Sequence, residues 1–135
     1  KKKKNEVLID DYAHHPAEIN AVHSAVREMY PNKRVLAVFQ PHLFSRTRDF
    51  MEEFAASLAQ FDELLLLDIY PAREEPIEDV TSEKLLELIP LTRKEVISKA
   101  QLEEKLQASK ATVKVMMGAG DIGEEILKLT KTLAV

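Results

Sequence analysis

Cysteine is absent from this 135-residue chain. That excludes disulfides and thiolate metal sites, and it suits a reducing compartment. Long apolar runs are absent too. Nothing approaches the roughly 18 consecutive apolar residues that a membrane-spanning helix needs. An excess of basic charge is also missing: 19 Lys and Arg against 23 Asp and Glu leave a net charge of −4. The four lysines Lys1–Lys4 stand alone, and no basic stripe recurs behind them. They read as a solvated stub or linker at a domain edge rather than a nucleic-acid arm. Neither a nucleic acid nor a membrane is expected as a partner. No long apolar region follows those lysines, so no secretory signal is expected here. Finally, no G-x-x-x-x-G-K-[ST] occurs. The chain therefore carries no ATP γ-phosphate cradle of that kind.

What is present suits one globular domain, 1–135. Hydrophobic residues make up 45%, enough for an ordinary core at this length. The chain reads as strand then helix, five times over. Strand one is Glu6 to Asp10. Pro16 stands where a first helical turn tolerates its missing N–H. Ile19, Val22, His23, Val26 and Met29 then mark one helix face, which ends near Tyr30-Pro31. Strand two, Arg34 to Phe39, is apolar throughout from Val35, as a strand buried on both faces should be. A polar loop, 40–48, enters a second helix expected to bury Phe50, Phe54 and Leu58. Strand three spans Glu63 to Ile69. The prolines Pro71 and Pro76 break up the segment after it. A third helix spans Thr81 to Ile89, and a short fourth strand Glu95 to Ile97. Ser98 with Gln101 is a capping-box signature for a fourth helix. Strand five is Thr112 to Met117, and Asp121 with Glu124 marks a last helix start. Alternation of this kind implies α/β architecture: a mostly parallel sheet of five or six strands with helices on both faces, joined right-handedly.

Three of the five strand ends are rich in chemistry, and all should open on one sheet edge. In open α/β sheets that edge holds the ligand. The first end is Asp10-Asp11-Tyr12-Ala13-His14-His15-Pro16. Its aspartates suit a divalent cation or ribose hydroxyls; the alternative is that one of them simply caps the next turn. His15 is placed to cap the helix before Pro16, and His14 to pack as a loop histidine. A two-histidine, two-aspartate metal centre is disfavoured, because adjacent histidines point in different directions; no metal ligand is expected here. His23 lies on an apolar helix face and reads as a core or boundary residue. The second end is Gln40-Pro41-His42-Leu43-Phe44-Ser45-Arg46-Thr47-Arg48. His42 and Arg46 are four apart, and Arg46 and Arg48 beside a helix start suit an anion gripped in bidentate fashion. The third end carries Tyr70, Arg73 and Glu74 as candidate ligand contacts, though Glu74, Glu75, Glu78 and Asp79 read rather as a solvated acidic surface.

One motif misleads. Gly118-Ala119-Gly120-Asp121-Ile122-Gly123 fits G-x-G-x-x-G. A dinucleotide fingerprint belongs in the first strand–helix–strand unit, with an acidic residue about 20 positions on. Only twelve residues follow Gly123. These glycines read as a tight turn that lets the last helix pack closely.

The chain resembles the C-terminal domain of the Mur ligases. The resemblance rests on Asp10-Asp11-Tyr12-Ala13-His14-His15-Pro16, on Phe39-Gln40-Pro41-His42 with Ser45-Arg46-Thr47-Arg48, on Asp68-Ile69-Tyr70-Pro71-Ala72 with Glu74 and Pro76, and on Gly118-Ala119-Gly120-Asp121-Ile122. The second segment is the more specific for the alanine-adding members. The resemblance implies a Rossmann-like closing domain that packs on the N-terminal and central domains of a three-domain, cytoplasmic bacterial enzyme. It implies ATP and Mg²⁺, bound mainly by the central domain. It implies a reaction in which the carboxylate of UDP-N-acetylmuramate is activated as an acyl phosphate and attacked by L-alanine. Asp10 and Asp11 are then nucleotide-binding. Tyr12, His14, His15, Thr47 and Tyr70 are substrate-binding, and His42 and Arg46 catalytic. Leu43 departs from a family pattern that often has arginine there, so one anion contact is missing or differently supplied. Alone, the domain is expected to fold and to be inert. Two rivals are a ligase that recycles murein peptides and a receiver-like regulatory domain. A receiver has a phosphorylatable aspartate near Asp68 and a lysine where this chain has Met117-Gly118.

Overall fold

A computed structural model describes residues 6–119 and 122. The Lys1–Lys4 stub and the helix start expected from Asp121 and Glu124 lie outside the described residues. Along the chain run β1 (Val7–Asp11), α1 (Pro16–Met29), β2 (Val35–Phe39), α2 (Phe44–Asp49), α3 (Met51–Leu58) and β3 (Glu63–Leu66). Then come α4 (Ser82–Glu87), β4 (Lys94–Val96), a 3₁₀ turn (Lys99–Gln101), α5 (Leu102–Ala108) and β5 (Val113–Met117).

The five strands form one sheet in the order β1-β5-β2-β3-β4, and every pairing is parallel. The order explains the layers. From β1 to β2, β3 and β4 the chain moves across the sheet in one direction. Connections of one hand therefore put α1, α3 and α4 on the same face. The step from β4 back to β5 reverses direction, and α5 lies on the other face. The two cores follow. Ile19 and Val26 of α1, Phe54 and Leu58 of α3, and Leu85 of α4 pack on Ala37, Phe39, Leu64, Leu66, Val113, Val115 and Met117. Leu102 and Leu106 of α5, with Ile122, pack on Leu36, Val38, Leu65 and Met116. Fully burying one such side chain is worth about 1.5–3 kcal/mol. The α/β expectation with helices on both faces therefore holds, with five strands, all parallel, among the described residues.

Some boundaries differ from the sequence expectation. The second helix is not continuous. It breaks at Phe50 (φ −120°, ψ 25°) into α2 and α3. Phe50 is 37% exposed rather than buried, while Phe54 and Leu58 are fully buried. Met29, on the last turn of α1, is exposed as well, and Tyr30 beside it packs against the core instead. β3 ends at Leu66, with Leu67 still donating its N–H to Phe39 O (3.0 Å). Its neighbour β2 has stopped by then, and Pro41 has no N–H to extend the ladder. The capping signal at Ser98 is real: Ser98 N–H donates to Gln101 Oε1 at 3.0 Å.

Two lysines on strands close helix ends from below. Lys94 Nζ donates to Leu86 O (2.9 Å) and Ile89 O (2.7 Å), adding a charged donor to carbonyls that already accept Ile89 N–H (3.0 Å) and Leu91 N–H (2.9 Å) where α4 stops. Lys114 is 1% exposed within β5. Its Nζ donates to Leu106 O of α5 (2.5 Å) and pairs with Glu6 Oε2 (3.1 Å).

The register places the site. Asp11 pairs with Met117, Met117 with Phe39, Phe39 with Leu66, and Leu66 with Val96. All five strands therefore end at one level, and the segments following them meet above it. Here Gly118 has φ +153°, and a Cβ on it would stand 2.9 Å from Ile122 Cγ2 and 3.2 Å from Gln40 O. Glycine lets the β5 exit pass this closely over β2.

Candidate active site

The site is built from the segments leaving β1, β2 and β3. After β1, Asp11 Oδ1 accepts the N–H of Ala13 at 2.9 Å, turning the chain into the loop. Asp10 and Asp11 are neighbours on a strand, so their side chains leave opposite faces. Partial burial first, and the charge of Asp11 second, hold the Asp10 carboxyl above its ordinary value. Glu18, in the first turn of α1, accepts both His14 N–H (2.9 Å) and His15 N–H (3.0 Å) through Oε1. These bonds keep its carboxyl below the ordinary value. They also tie down the backbone of both histidines. The two rings lie against each other, with centroids 5.1 Å apart, against the expectation that these neighbours point in different directions. His15 also lies edge-on to Phe50, with centroids 6.0 Å apart, and His14 lies 6.2 Å from His42.

After β2, the backbone of 41–43 runs beside Tyr70. Tyr70 N–H donates to Pro41 O and Leu43 N–H to Tyr70 O, both at 2.8 Å. The pairing carries Leu43 to φ 76°, ψ 134°. For a branched side chain that is a strained backbone, costing of order 1–3 kcal/mol. The same pairing stacks the His42 ring on Tyr70, with centroids 5.5 Å apart and planes 12° apart. Tyr12 stands edge-on to His14 at 5.7 Å and is 70% exposed. Four rings, Tyr12, His14, His42 and Tyr70, thus form one row across three strand exits.

Arg46 sits at one side of the row. Its Nη1 lies 3.1 Å from His42 Nδ1 and donates to His42 O at 3.4 Å. A guanidinium can only donate, so His42 Nδ1 must offer its lone pair. His42 is therefore neutral with its proton on Nε2. Its lowered pKa agrees: burial first, then the Arg46 charge, disfavours the imidazolium. The pair presents a guanidinium and a neutral N–H donor, which suits an anionic oxygen.

Two expected contributors are placed elsewhere. Thr47 is fully buried, and its hydroxyl donates to Leu43 O at 2.8 Å, within α2's first turn. Arg48 points to solvent and pairs with Asp49 at 2.9 Å. Asp68 lines an open cleft of about 330 Å³ beyond Tyr70, with Ile69, Ile97 and Ser98. Among the described residues, no three His, Asp or Glu side chains converge as a metal-ligating group.

Sequence reasoning missed two residues. Gln40 is buried; it donates its N–H to Met117 O and accepts Ile122 N–H through Oε1, each at 3.1 Å. It ties the exits of β2 and β5 together. The signal was available as a polar side chain directly after a buried apolar strand. Glu74, read in sequence as a ligand contact or acidic surface, accepts Ser45 N–H at 3.0 Å and the Ser45 hydroxyl. Nothing in its local sequence marks a partner 29 residues away.

These loops lie in a chain that matches a family model described as Mur ligase, glutamate ligase domain, over residues 1–122. The chain belongs to the Mur ligase family. It is 66% identical over 132 residues to a UDP-N-acetylmuramate–L-alanine ligase of Christiangramia forsetii, matching 98% of this chain and 29% of that protein. The chain thus spans less than a third of that relative's length. Its fold matches a UDP-N-acetylmuramate–alanine ligase from Thermotoga maritima with TM-score 0.70 at 26% identity, over 93% of this chain and 26% of the other. A murein peptide ligase from Psychrobacter arcticus shares the fold alone, with TM-score 0.71 at 20% identity over 96% of this chain and 28% of the other. The sequence resemblance to a Mur ligase domain is thereby established. A receiver-like assignment gains nothing, since Met117 is buried where a receiver would need its lysine.

Proposed function

We propose that this Mur ligase domain is the C-terminal, closing third of an ATP-dependent ligase that joins L-alanine to UDP-N-acetylmuramate. What supports the reading most is the 66% identity, across 98% of the chain, to a ligase of that name. ATP with Mg²⁺, held by parts of the enzyme outside this chain, supplies the phosphoryl group that activates the muramoyl carboxylate. The row of rings and Arg46 then perform the rest of the domain's work. Arg46 and the His42 Nε2–H sit on the oxygen where negative charge develops as the amine attacks. His14 and Tyr12 line the approach, and Tyr70 holds the His42 ring plane. Asp11, at the end of β1, faces the nucleotide. A domain that swings over the site also excludes water from an activated carboxylate that water would hydrolyse. A nucleotide-sugar substrate and the absence of a helix able to cross a membrane among the described residues fit a cytoplasmic enzyme.

The test is ADP release by the full-length ligase with UDP-N-acetylmuramate and a panel of amino acids and peptides. L-alanine should be the preferred acceptor. Arg46→Ala should lower kcat/KM about 100- to 1000-fold, the cost of one lost oxyanion donor. Preference for a tripeptide would reassign the domain to a murein-recycling ligase. ADP release that no acceptor stimulates would overturn the ligase reading.

A further inference from the structure

The amide end of α2 faces the site, where an arginine-bearing helix start invites an anion. That end is already filled. Glu74, on the segment after β3, takes Ser45 N–H through Oε1 at 3.0 Å and the Ser45 hydroxyl through Oε2. The Phe44 N–H adds to the same carboxylate, and the Ser45 bonds together hold its pKa down. A few residues away the same two segments are joined by the Tyr70–Pro41 and Leu43–Tyr70 backbone bonds. Between these two fastenings lies Leu43 with its strained φ of 76°. Strain of this kind persists only where the surroundings over-determine it. One turn further along α2 is Arg46, the residue that meets His42.

We propose that Glu74 is a positioning residue for Arg46: by clasping Ser45 it fixes the first turn of α2, and it keeps that amide end from competing for the substrate's anion. The idea rests on the ligase reading above. Its consequence is a division of labour. The loop's anion contact is made by Arg46 and the His42 N–H alone, aimed by a carboxylate that never touches substrate. Misplacing a reacting contact by about 1 Å can cost on the order of 100-fold in rate.

The experiment uses the full-length ligase with Glu74→Gln, alone and combined with Arg46→Lys. Glu74→Gln should lower kcat by about 10- to 100-fold while KM for ATP changes less than about threefold. In the Arg46→Lys background, where the guanidinium fork is gone, Glu74→Gln should cost less than about threefold further. An equal cost in both backgrounds would overturn the proposal, as would a kcat that stays at the wild-type value. Glu74→Asp supplies a second readout, because it keeps the charge and shortens the reach. With Arg46 released from Nδ1, His42 should titrate nearer its ordinary value, followed by NMR of labelled imidazole carbons. A His42 titration unmoved in Glu74→Asp would also overturn it. The two failures are separable. A wild-type ligase that releases no acceptor-dependent ADP defeats the ligase reading, and the His42 titration still decides the role of Glu74.

Discussion

Lys114→Met should be among the most damaging single substitutions outside the site. Methionine matches the lysine stem in bulk, so packing in β5 changes little. What changes is charge. Lys114 is 1% exposed and its ammonium lies between Leu106 O (2.5 Å) and Glu6 Oε2 (3.1 Å). Removing it leaves the Glu6 carboxylate, whose side chain is 13% exposed, without its cation. It also leaves the carbonyl end of α5 without this donor. Breaking one side of a buried pair costs about 3–5 kcal/mol. A domain's whole stability is about 5–15 kcal/mol. At this chain length each kcal/mol moves Tm by about 4 °C, so a drop of about 12–20 °C is expected. The assay is thermal and urea unfolding of the 135-residue chain at pH 7, with the urea slope checked for constancy. The informative control is the double variant Glu6→Leu with Lys114→Met. Replacing both partners of a buried pair by apolar groups is often neutral or stabilising. The double variant should therefore recover to within about 1 kcal/mol of wild type. If it is as unstable as Lys114→Met alone, the stranded carboxylate is not the cause and the reasoning fails. It fails equally if Lys114→Met unfolds at the wild-type temperature.

Two further outcomes are expected. His23 accepts Arg27 Nε–H through Nε2 at 2.9 Å, and burial followed by the Arg27 charge lowers its pKa. A histidine neutral in the fold and titrating at its ordinary 6.5 when unfolded contributes stability above that pH. It loses that stability as pH falls through the lower folded value. The His23 contribution to Tm should therefore hold level down to about pH 6.5 and decline below it, and His23→Leu should flatten part of that slope; an unchanged slope would contradict the assignment. Thr47→Val should cost about 1 kcal/mol in unfolding free energy, because one buried hydrogen bond is lost while Thr47 N–H still serves Leu43 O. The full-length ligase carrying Thr47→Val should keep kcat/KM within about threefold; a tenfold loss in a folded enzyme would mean that the hydroxyl reaches substrate.

The sequence by itself determined the layout. Val35 to Phe39 fits a strand buried on both faces, and the alternation of such strands with helical periods implied a parallel sheet. The strand exits rich in aspartate, histidine and arginine then had to share one edge, because parallel strands all end on the same side. Pro16 after the histidines and Gln101 after Ser98 marked helix starts locally, and both signals are short-range. His42 and Arg46 were legible because a spacing of four residues suffices to bring them together. The tertiary structure decided the rest. Only the register, with Asp11, Met117, Phe39 and Leu66 at one level, brings His14 to His42 and His42 onto Tyr70. Only the fold shows that Thr47 turns inward and Phe50 outward, since both follow from where α2 breaks from α3. Lys114 reads in sequence as an interruption of an apolar strand; its burial depends on Leu106 and Glu6 arriving from other elements. Glu74 looked like solvated acid until Ser45 met it from 29 residues away. Contacts between strand exits depend on register and on crossover direction, and neither is written in the local pattern of any one segment.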